Sequence, residues 1–276
     1  MNPDWRFGSK MTAIQGFILG LIQGITEFLP VSSSGHLVLF QKLMGLSDHS
    51  IAFTFDIAVH VATLIGVIIV LRKEVMEIIR KPFSKLSMLV VAGTIPTVII
   101  AAAFYGILKK SLEVGPTLGF EFIFTGLILL FAEGIRSKNK RLAQAAYTDA
   151  AVMGVAQAVA ILPAISRSGL TLAGALMRGL NREFALKLSF LMSIPAILMS
   201  AAKAVYDIVK DGAYPGGSVD LLPVLIGFIA AGVSGYAAVK FMLKIFSKTS
   251  LKVFSYYVFV LGLLILADQF IFHFSF

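Results

Sequence analysis

Apolar residues dominate this chain in long runs, and its polar residues fall mainly into the gaps between them. A hydrocarbon core of about 30 Å takes roughly 20 helical residues to cross. Runs at 51–71, 88–108, 188–206, 221–239 and 253–274 meet that length, as does 120–133 with its flanks. Four apolar segments are too short: 14–28, 37–44, 150–162 and 170–180. The first rises only about 22 Å at the helical spacing. Each short pair is joined by a polar island, QGITEFLPVSSSGH at 23–36 and PAISRSGLT at 163–171. The pattern predicts an all-α polytopic membrane protein with six spanning helices and two re-entrant helical hairpins. Each hairpin turns near the middle of the bilayer and leaves on the side it entered. Irregular backbone at that depth is tolerated only where protein or a water-filled cavity surrounds it. The alternative is two ordinary breaks between long spanning helices.

The order hairpin, three spans, hairpin, three spans suggests an internal repeat in one membrane domain of residues 1–276, with copies at about 11–134 and 148–274. A shift of 134 residues lays Gln23 on Gln157, Ser32 on Ser166, Ser33 on Arg167, Ser34 on Ser168 and Gly35 on Gly169. The run GLILLFAE from Gly126 resembles GLLILAD from Gly262. Three crossings per copy is an odd number, so the copies run in opposite directions. Such inverted repeats, with discontinuous helices meeting at the midplane, recur among membrane proteins.

Composition agrees, with 58% hydrophobic residues, 14% charged and a mean hydropathy of +0.89; soluble domains average about 45–50% apolar and about 25% charged. The net charge of +9 does not point to nucleic acid, because the basic residues sit between apolar blocks rather than on one continuous face. Segments 72–87, 134–148, 178–187 and 240–252 hold sixteen Lys and Arg against Glu74, Glu77 and Glu183. Both termini and segments 41–50, 109–121 and 203–220 hold seven basic and eight acidic residues. The positive-inside bias makes the first set cytoplasmic. Both termini, and the mouth of the first hairpin, are then extracytoplasmic. The chain has no cysteine, which excludes disulfides and thiolate chemistry. Arg6 and Lys10 precede an apolar run, but Glu27 inside it and the missing small-residue cleavage site argue against a signal peptide.

Outside those segments remain Arg167, Glu27, Asp56, Glu133 and Asp149. Glu133 and Asp149 lie at span ends and are expected to reach interfacial water. Glu27, Asp56 and Arg167 are held at depth, where ionisable groups are functional candidates by default. Gln23 and Glu27 share a helical face that ends at Pro30. Ser32, Ser33, Ser34 and Gly35 precede a short helix expected to begin near His36. Ser166, Arg167, Ser168 and Gly169 precede another, expected to begin at Leu170. Two half-helix amino ends, several hydroxyls and a guanidinium suit phosphate oxygens. A carboxylate beside them is consistent with a cation, since Mg²⁺ commonly uses one or two carboxylates plus substrate phosphates. His36 could serve as base to a serine hydroxyl. Plainer roles are also open. The serines could be N-caps, His36 a structural donor, Glu27 and Arg167 a buried pair, and Asp56 with His60 a supporting pair or a packing contact.

At these residues the chain resembles the undecaprenyl-diphosphate phosphatase family of the bacitracin-resistance type. That family carries an (E/Q)xxxE run leading into FLPVSSxGH, and a PGxSRSxxT run. Here they read Gln23 to Glu27 followed by FLPVSSSGH to His36, and PAISRSGLT from Pro163 to Thr171. The resemblance implies an integral membrane enzyme of the bacterial cell membrane that removes the terminal phosphate of a C55 polyprenyl diphosphate. Its product is the carrier lipid of peptidoglycan synthesis. It also implies dependence on a divalent cation, Mg²⁺ or Ca²⁺, held at Glu27, and competition with bacitracin for the lipid. Gln23 stands where many members have a second glutamate, and Ala164 replaces a glycine.

By this resemblance Ser33 attacks phosphorus and Glu27 or His36 takes its proton. Arg167 stabilises the transferring group, and Ser32, Ser34, Gly35, Ser166, Ser168 and Thr171 bind phosphate. Gln23, Asp56 and His60 support them. A rival assignment makes His36 the nucleophile. A different function on the same architecture is a polyprenyl-phosphate flippase or an ion-coupled transporter. A type-2 phosphatidic-acid phosphatase is excluded, because its Lys-x6-Arg-Pro run is missing. Membrane lipids are expected neighbours, and an oligomer is compatible with the sequence.

Overall fold

A computed structural model describes residues 11–46, 49–111, 117–135, 139–160, 165–211, 220–246 and 248–272. Pro163 and Ala164 therefore lie outside the described residues. Among those described, the chain is helical throughout, with an isolated bridge between Lys140 and Leu180 and no strand. In chain order the helices are α1 Ala13–Glu27, α2 Ser33–Leu43, α3 His49–Val70, α4 Arg72–Arg80, α5 Lys85–Ser111 and α6 Leu118–Glu133. They continue with α7 Tyr147–Val159, α8 Arg167–Met177, α9 Arg182–Asp211, α10 Leu221–Ile245 and α11 Leu251–Ala267, which ends in a π-helical turn at Asp268–Phe272.

Among the described residues, five stretches are long and apolar enough to cross a membrane: Phe53–Val70, Lys85–Phe104, Arg182–Asp207, Leu221–Ile245 and Leu251–Phe272. The sixth expected span, 120–133 with its flanks, forms α6 with sixteen residues, about 24 Å of rise. The segment at 72–87, expected as a loop, contains α4, whose Val75 and Ile78 pack on the core while Arg72, Lys73, Arg80 and Lys81 line its polar side.

The molecule is apolar outside and carries polar side chains buried within its apolar core. Large hydrophobic side chains stand exposed along α5, α6, α10 and α11, including Ile95, Ile99, Phe124, Leu127, Leu225, Ile229, Val260 and Leu264. Water does not tolerate a surface of that extent; a bilayer does. Buried side chains include Gln23, Glu27, His36, Thr125, Ser168, Thr171 and Ser189. These features make it a multi-pass membrane protein.

Between apolar helices in lipid, close backbone approach replaces the hydrophobic drive. Gly20 of α1 lies so close to Gly227 of α10 that an added Cβ would sit 2.3 Å from the Gly227 carbonyl oxygen. On α7, a Cβ at Gly154 would sit 1.9 Å from the carbonyl oxygen of Gly93 on α5. The Thr97 hydroxyl also donates to the Gly154 carbonyl at 2.9 Å. Adding 134 to Gly20 gives Gly154, and adding it to Gly93 gives Gly227, so one contact is the counterpart of the other. α1 thus packs on α10 in the way that α7 packs on α5.

Two acidic residues expected at interfacial water are held differently. The Asp149 side chain is fully buried, receiving Arg178 Nε at 2.8 Å and Lys140 Nζ at 3.2 Å, together with the Ala146 amide at 3.0 Å. Glu133 accepts from Arg182 at 2.5 Å, Ser250 Oγ at 2.9 Å and the Leu251 amide at 3.0 Å, which ties the ends of α6, α9 and α11 together.

Candidate active site

α1 stops at Glu27 because Pro30 cannot continue a helix and biases Leu29 toward extended backbone. The chain turns through 28–31, and Ser32 caps α2 by accepting the Gly35 amide at 3.3 Å. The helix expected near His36 begins at Ser33, so the serine run forms its first turn. The second island behaves alike. Ser166 accepts the Gly169 amide at 3.1 Å, and α8 begins at Arg167 rather than Leu170. A serine that satisfies an otherwise orphaned first-turn amide allows the helix to start one residue later.

The likeness extends to the far ends. Gly45 and Gly179 both take positive φ, 69° and 80°, beyond the carboxyl ends of α2 and α8. Their amides donate to Lys42 and Leu176 at 2.9 and 2.8 Å. Gln15 donates to the Met44 carbonyl at 3.2 Å, and Arg178 donates to Asp149, so the mouth of each hairpin is closed at positions 134 apart. The difference lies at the turn. Ser32 holds φ at 69°, whereas Ser166 sits at −69°.

The two turns meet. Glu27 is buried, and its carboxylate is the hub. Oε1 accepts from Arg167 Nη2, although 140 residues separate the two. Oε2 accepts from Ser33 Oγ at 2.5 Å and from Gln23 Nε2 at 2.9 Å, and His60 Nε2 lies 3.5 Å away. Ser168 Oγ donates to the Leu29 carbonyl at 2.8 Å, which fastens the start of α8 to the turn after α1. The Ser166 amide donates to Thr125 Oγ1 at 3.2 Å, anchoring the same turn to α6. A buried ion pair of this kind is weak evidence for stability, since desolvation offsets most of its attraction. Its value is positional, because Arg167 and Ser33 address one carboxylate from two sides. Arg167 Nη1 is buried with no partner among the described residues, a donor that an incoming oxyanion would satisfy.

Other residues singled out in the sequence take different places. His36 Nδ1 donates to the Ser32 carbonyl at 2.6 Å, so Nε2, 2.8 Å from the Tyr257 hydroxyl, is the acceptor in the neutral ring. Its ring stacks on Tyr257 at 5.7 Å and meets Phe122 edge-on, so both nitrogens are engaged away from Ser33. The Thr171 hydroxyl bonds the Arg167 and Ser168 carbonyls and lies 2.5 Å from Ser189 Oγ, inside the α8–α9 contact rather than facing the carboxylate. The side-chain amide of Gln41 donates to Asp56 Oδ1 at 2.8 Å, and the ring of His60 bonds the Asp56 carbonyl through Nδ1 at 2.6 Å. Asp56 thus sits one step behind His60. Ser34 is partly exposed in the first turn of α2, and the Gly35 amide is occupied by Ser32. Thr125, Tyr257, Gln41 and Ser189 were not singled out in the sequence. Thr125 and Ser189 stand alone among apolar residues, Gln41 stands beside Lys42 and Tyr257 follows Ser255 and Tyr256, and no spacing ties any of them to the two islands.

The donor set bears on a cation. Among the described residues no group of three or more His, Cys, Asp or Glu is disposed to hold a metal by itself. Gln23 Oε1, however, is buried without a partner, four residues before Glu27 on one helical face. One carboxylate and one carboxamide would supply oxygens to a hard divalent ion once Gln23 turned Oε1 toward Glu27 in place of the Nε2 that faces it here, the remaining ligands coming from substrate phosphates and water.

The family described as bacitracin resistance protein BacA matches residues 16–264. An undecaprenyl-diphosphatase of Carboxydothermus hydrogenoformans is 52% identical over 94% of this chain and 98% of its own. Undecaprenyl-diphosphatase 3 of Bacillus cereus is 42% identical over the same shares. An undecaprenyl-diphosphatase of Halothermothrix orenii is 39% identical over 93% of this chain and 98% of its own. Both polar islands fall inside the matched region, and the chain belongs to the bacitracin resistance protein BacA family.

Proposed function

We propose that this protein is an undecaprenyl-diphosphatase, hydrolysing the terminal phosphate of undecaprenyl diphosphate to return the carrier lipid undecaprenyl phosphate. The observation that carries this is the convergence of Ser33 and Arg167 on Glu27. Ser33 Oγ forms a bond to the terminal phosphorus as the anhydride P–O bond breaks, and its proton passes to Glu27. Undecaprenyl phosphate leaves, and water then cleaves the phosphoserine to release phosphate. Arg167, through the free Nη1 donor, and the first-turn amides of α2 and α8 other than those of Gly35 and Gly169 bind the equatorial oxygens as charge spreads over them. Ser33 is favoured over His36 as nucleophile because it alone touches a base. A divalent cation, Mg²⁺ or Ca²⁺, would be held by Glu27 and Gln23 Oε1 and would neutralise substrate phosphate charge.

The reading carries a topology with it: six spans, α6 among them, two re-entrant hairpins and inverted halves. The counterpart contacts at 134-residue spacing support it. The basic segments put both termini outside and open the site to the extracytoplasmic side, where bacitracin would compete for the same lipid. The test is phosphate release from C55 diphosphate in detergent, with and without EDTA. Cation-dependent release is expected; tight binding of the lipid without release would favour a carrier instead.

A further inference from the structure

A polar concavity lies away from the Glu27 site. It is a cavity of about 410 Å³ lined by the last turn of α3, the first turn of α4, and α9 and α10. Four cations face it, Arg72, Lys73, Lys187 and Lys240, against the single carboxylate of Glu74. Lys187 is held by Glu183 at 3.2 Å and approached by Glu74 at 3.9 Å. Arg72, Lys73 and Lys240 have no carboxylate within ion-pair distance among the described residues. Lys240 instead lies over the Tyr236 ring, 5.2 Å from its centroid. One wall is apolar, formed by Ile69, Val70 and Leu243, and Ile69 belongs to the exposed hydrophobic surface. Ile69 is nine residues beyond His60 on α3, about 14 Å of rise, so this cavity is separate from the Glu27 site.

We propose that this cavity binds the phosphate headgroup of an anionic membrane lipid, whose chains run out over Ile69. The lining argues for a lipid over a soluble anion. The cations belong to the basic segments, and the apolar wall includes Ile69 of the lipid-exposed surface. Headgroup recognition of this kind needs only clustered Lys and Arg at the membrane boundary. The proposal does not depend on the phosphatase reading, since these residues take no part in that chemistry.

The test uses the full chain purified in neutral detergent, with bound lipid counted by native mass spectrometry. Phosphatidylglycerol, phosphatidylcholine and inorganic phosphate are the probes. Phosphatidylglycerol should be retained in preference to phosphatidylcholine, and excess inorganic phosphate should not displace it. In the double variant R72Q/K240Q, retention should fall about thirtyfold, from the loss of two cations at the membrane surface. Its phosphate release and thermal midpoint should match wild type, which separates loss of the site from loss of fold. Equal retention of the two lipids by the wild-type protein overturns the proposal whatever the variant does. Displacement by inorganic phosphate overturns the lipid source, and unchanged retention in a folded double variant overturns the site.

Discussion

Ser33 Oγ donates to Glu27 Oε2 at 2.5 Å across the break between α1 and α2. The two residues are six apart, too far for neighbours on one unbroken helical face, and the turn at 28–31 brings them together. A hydroxyl that already touches its base is positioned to become a nucleophile. Ser33→Ala should therefore lower phosphate release by about a thousandfold or more. Glu27→Gln should cost about a hundred- to ten-thousandfold, the usual range for loss of a general base. Phosphate release by the purified variants measures both, with the thermal midpoint as a check on folding. If Ser33→Ala kept a tenth of wild-type turnover, the serine would not be the nucleophile.

Arg167 has two tasks, holding Glu27 through Nη2 and presenting Nη1 to the ligand. Lysine keeps the charge but offers no fork. Arg167→Lys should preserve the fold yet reduce kcat by about a hundredfold, on the scale of losing one donor to a transition-state oxyanion. Arg167→Ala also leaves the Glu27 carboxylate buried and uncompensated, at a cost of about 3–5 kcal/mol. It should thus lower both turnover and thermal midpoint. A lysine variant as active as wild type would remove the guanidinium from the mechanism.

The sequence disclosed the two polar islands more readily than the helices around them. Glu27 and Arg167 were legible because charge inside apolar runs is costly, and the islands stood out for the same reason. α2 and α8 begin four and three residues before the apolar runs that mark them in the sequence, because Ser32 and Ser166 cap them and draw the polar residues into the first turn. α4 was missed because RKEVMEIIR is too polar and too short to stand out from a basic loop. Tyr257 and Thr125 were hidden for a different reason. Thr125 is a lone hydroxyl on an apolar helix and Tyr257 is one of three adjacent hydroxyls from Ser255 to Tyr257, and each takes its role from a partner more than 40 residues away. Asp149 was read as a boundary residue near water, but Arg178 and Lys140 enclose it.

Cation dependence should follow the Gln23–Glu27 face. Chelation with EDTA should abolish phosphate release, and Mg²⁺ or Ca²⁺ should restore it. Gln23→Glu adds a second carboxylate at the orphaned oxygen, so half-maximal activation should occur at lower cation concentration. Gln23→Leu removes both the oxygen and the bond to Glu27, and should raise that concentration. Titration of activity against cation distinguishes these outcomes. Full activity in EDTA would show that no cation is needed.

Gly20 and Gly154 make counterpart contacts, and both should resist the smallest enlargement. A Cβ at Gly154 meets the Gly93 carbonyl oxygen at 1.9 Å, and backbone cannot move aside as a side chain can. Gly154→Ala and Gly20→Ala should each destabilise by about 1–3 kcal/mol, the usual cost of overpacking. Gly232 on α10 is the control, because its nearest neighbour would be 3.6 Å from an added Cβ. Gly232→Ala should be neutral or stabilising by up to about 1 kcal/mol through helix propensity. Thermal midpoints in one detergent measure all three.

Ser32 offers a test of strain beside the reacting hydroxyl. Its φ of 69° is a conformation that glycine adopts freely and other residues adopt at a cost of about 1–3 kcal/mol. Replacing Ser32 by Ala or Gly removes the same acceptor from the Gly35 amide, so the loss of the cap is common to both. The two variants then differ mainly in backbone strain, which Ala keeps and Gly relieves. Glycine also loses more conformational entropy on folding, which offsets roughly 1 kcal/mol of the relief. Ser32→Gly should still equal or exceed Ser32→Ala in thermal midpoint. Turnover should run the other way, because a relaxed residue 32 no longer fixes the start of α2 and the aim of Ser33 at Glu27. A glycine variant that is both less stable and more active than the alanine variant would mean that the positive φ does not hold the nucleophile in place.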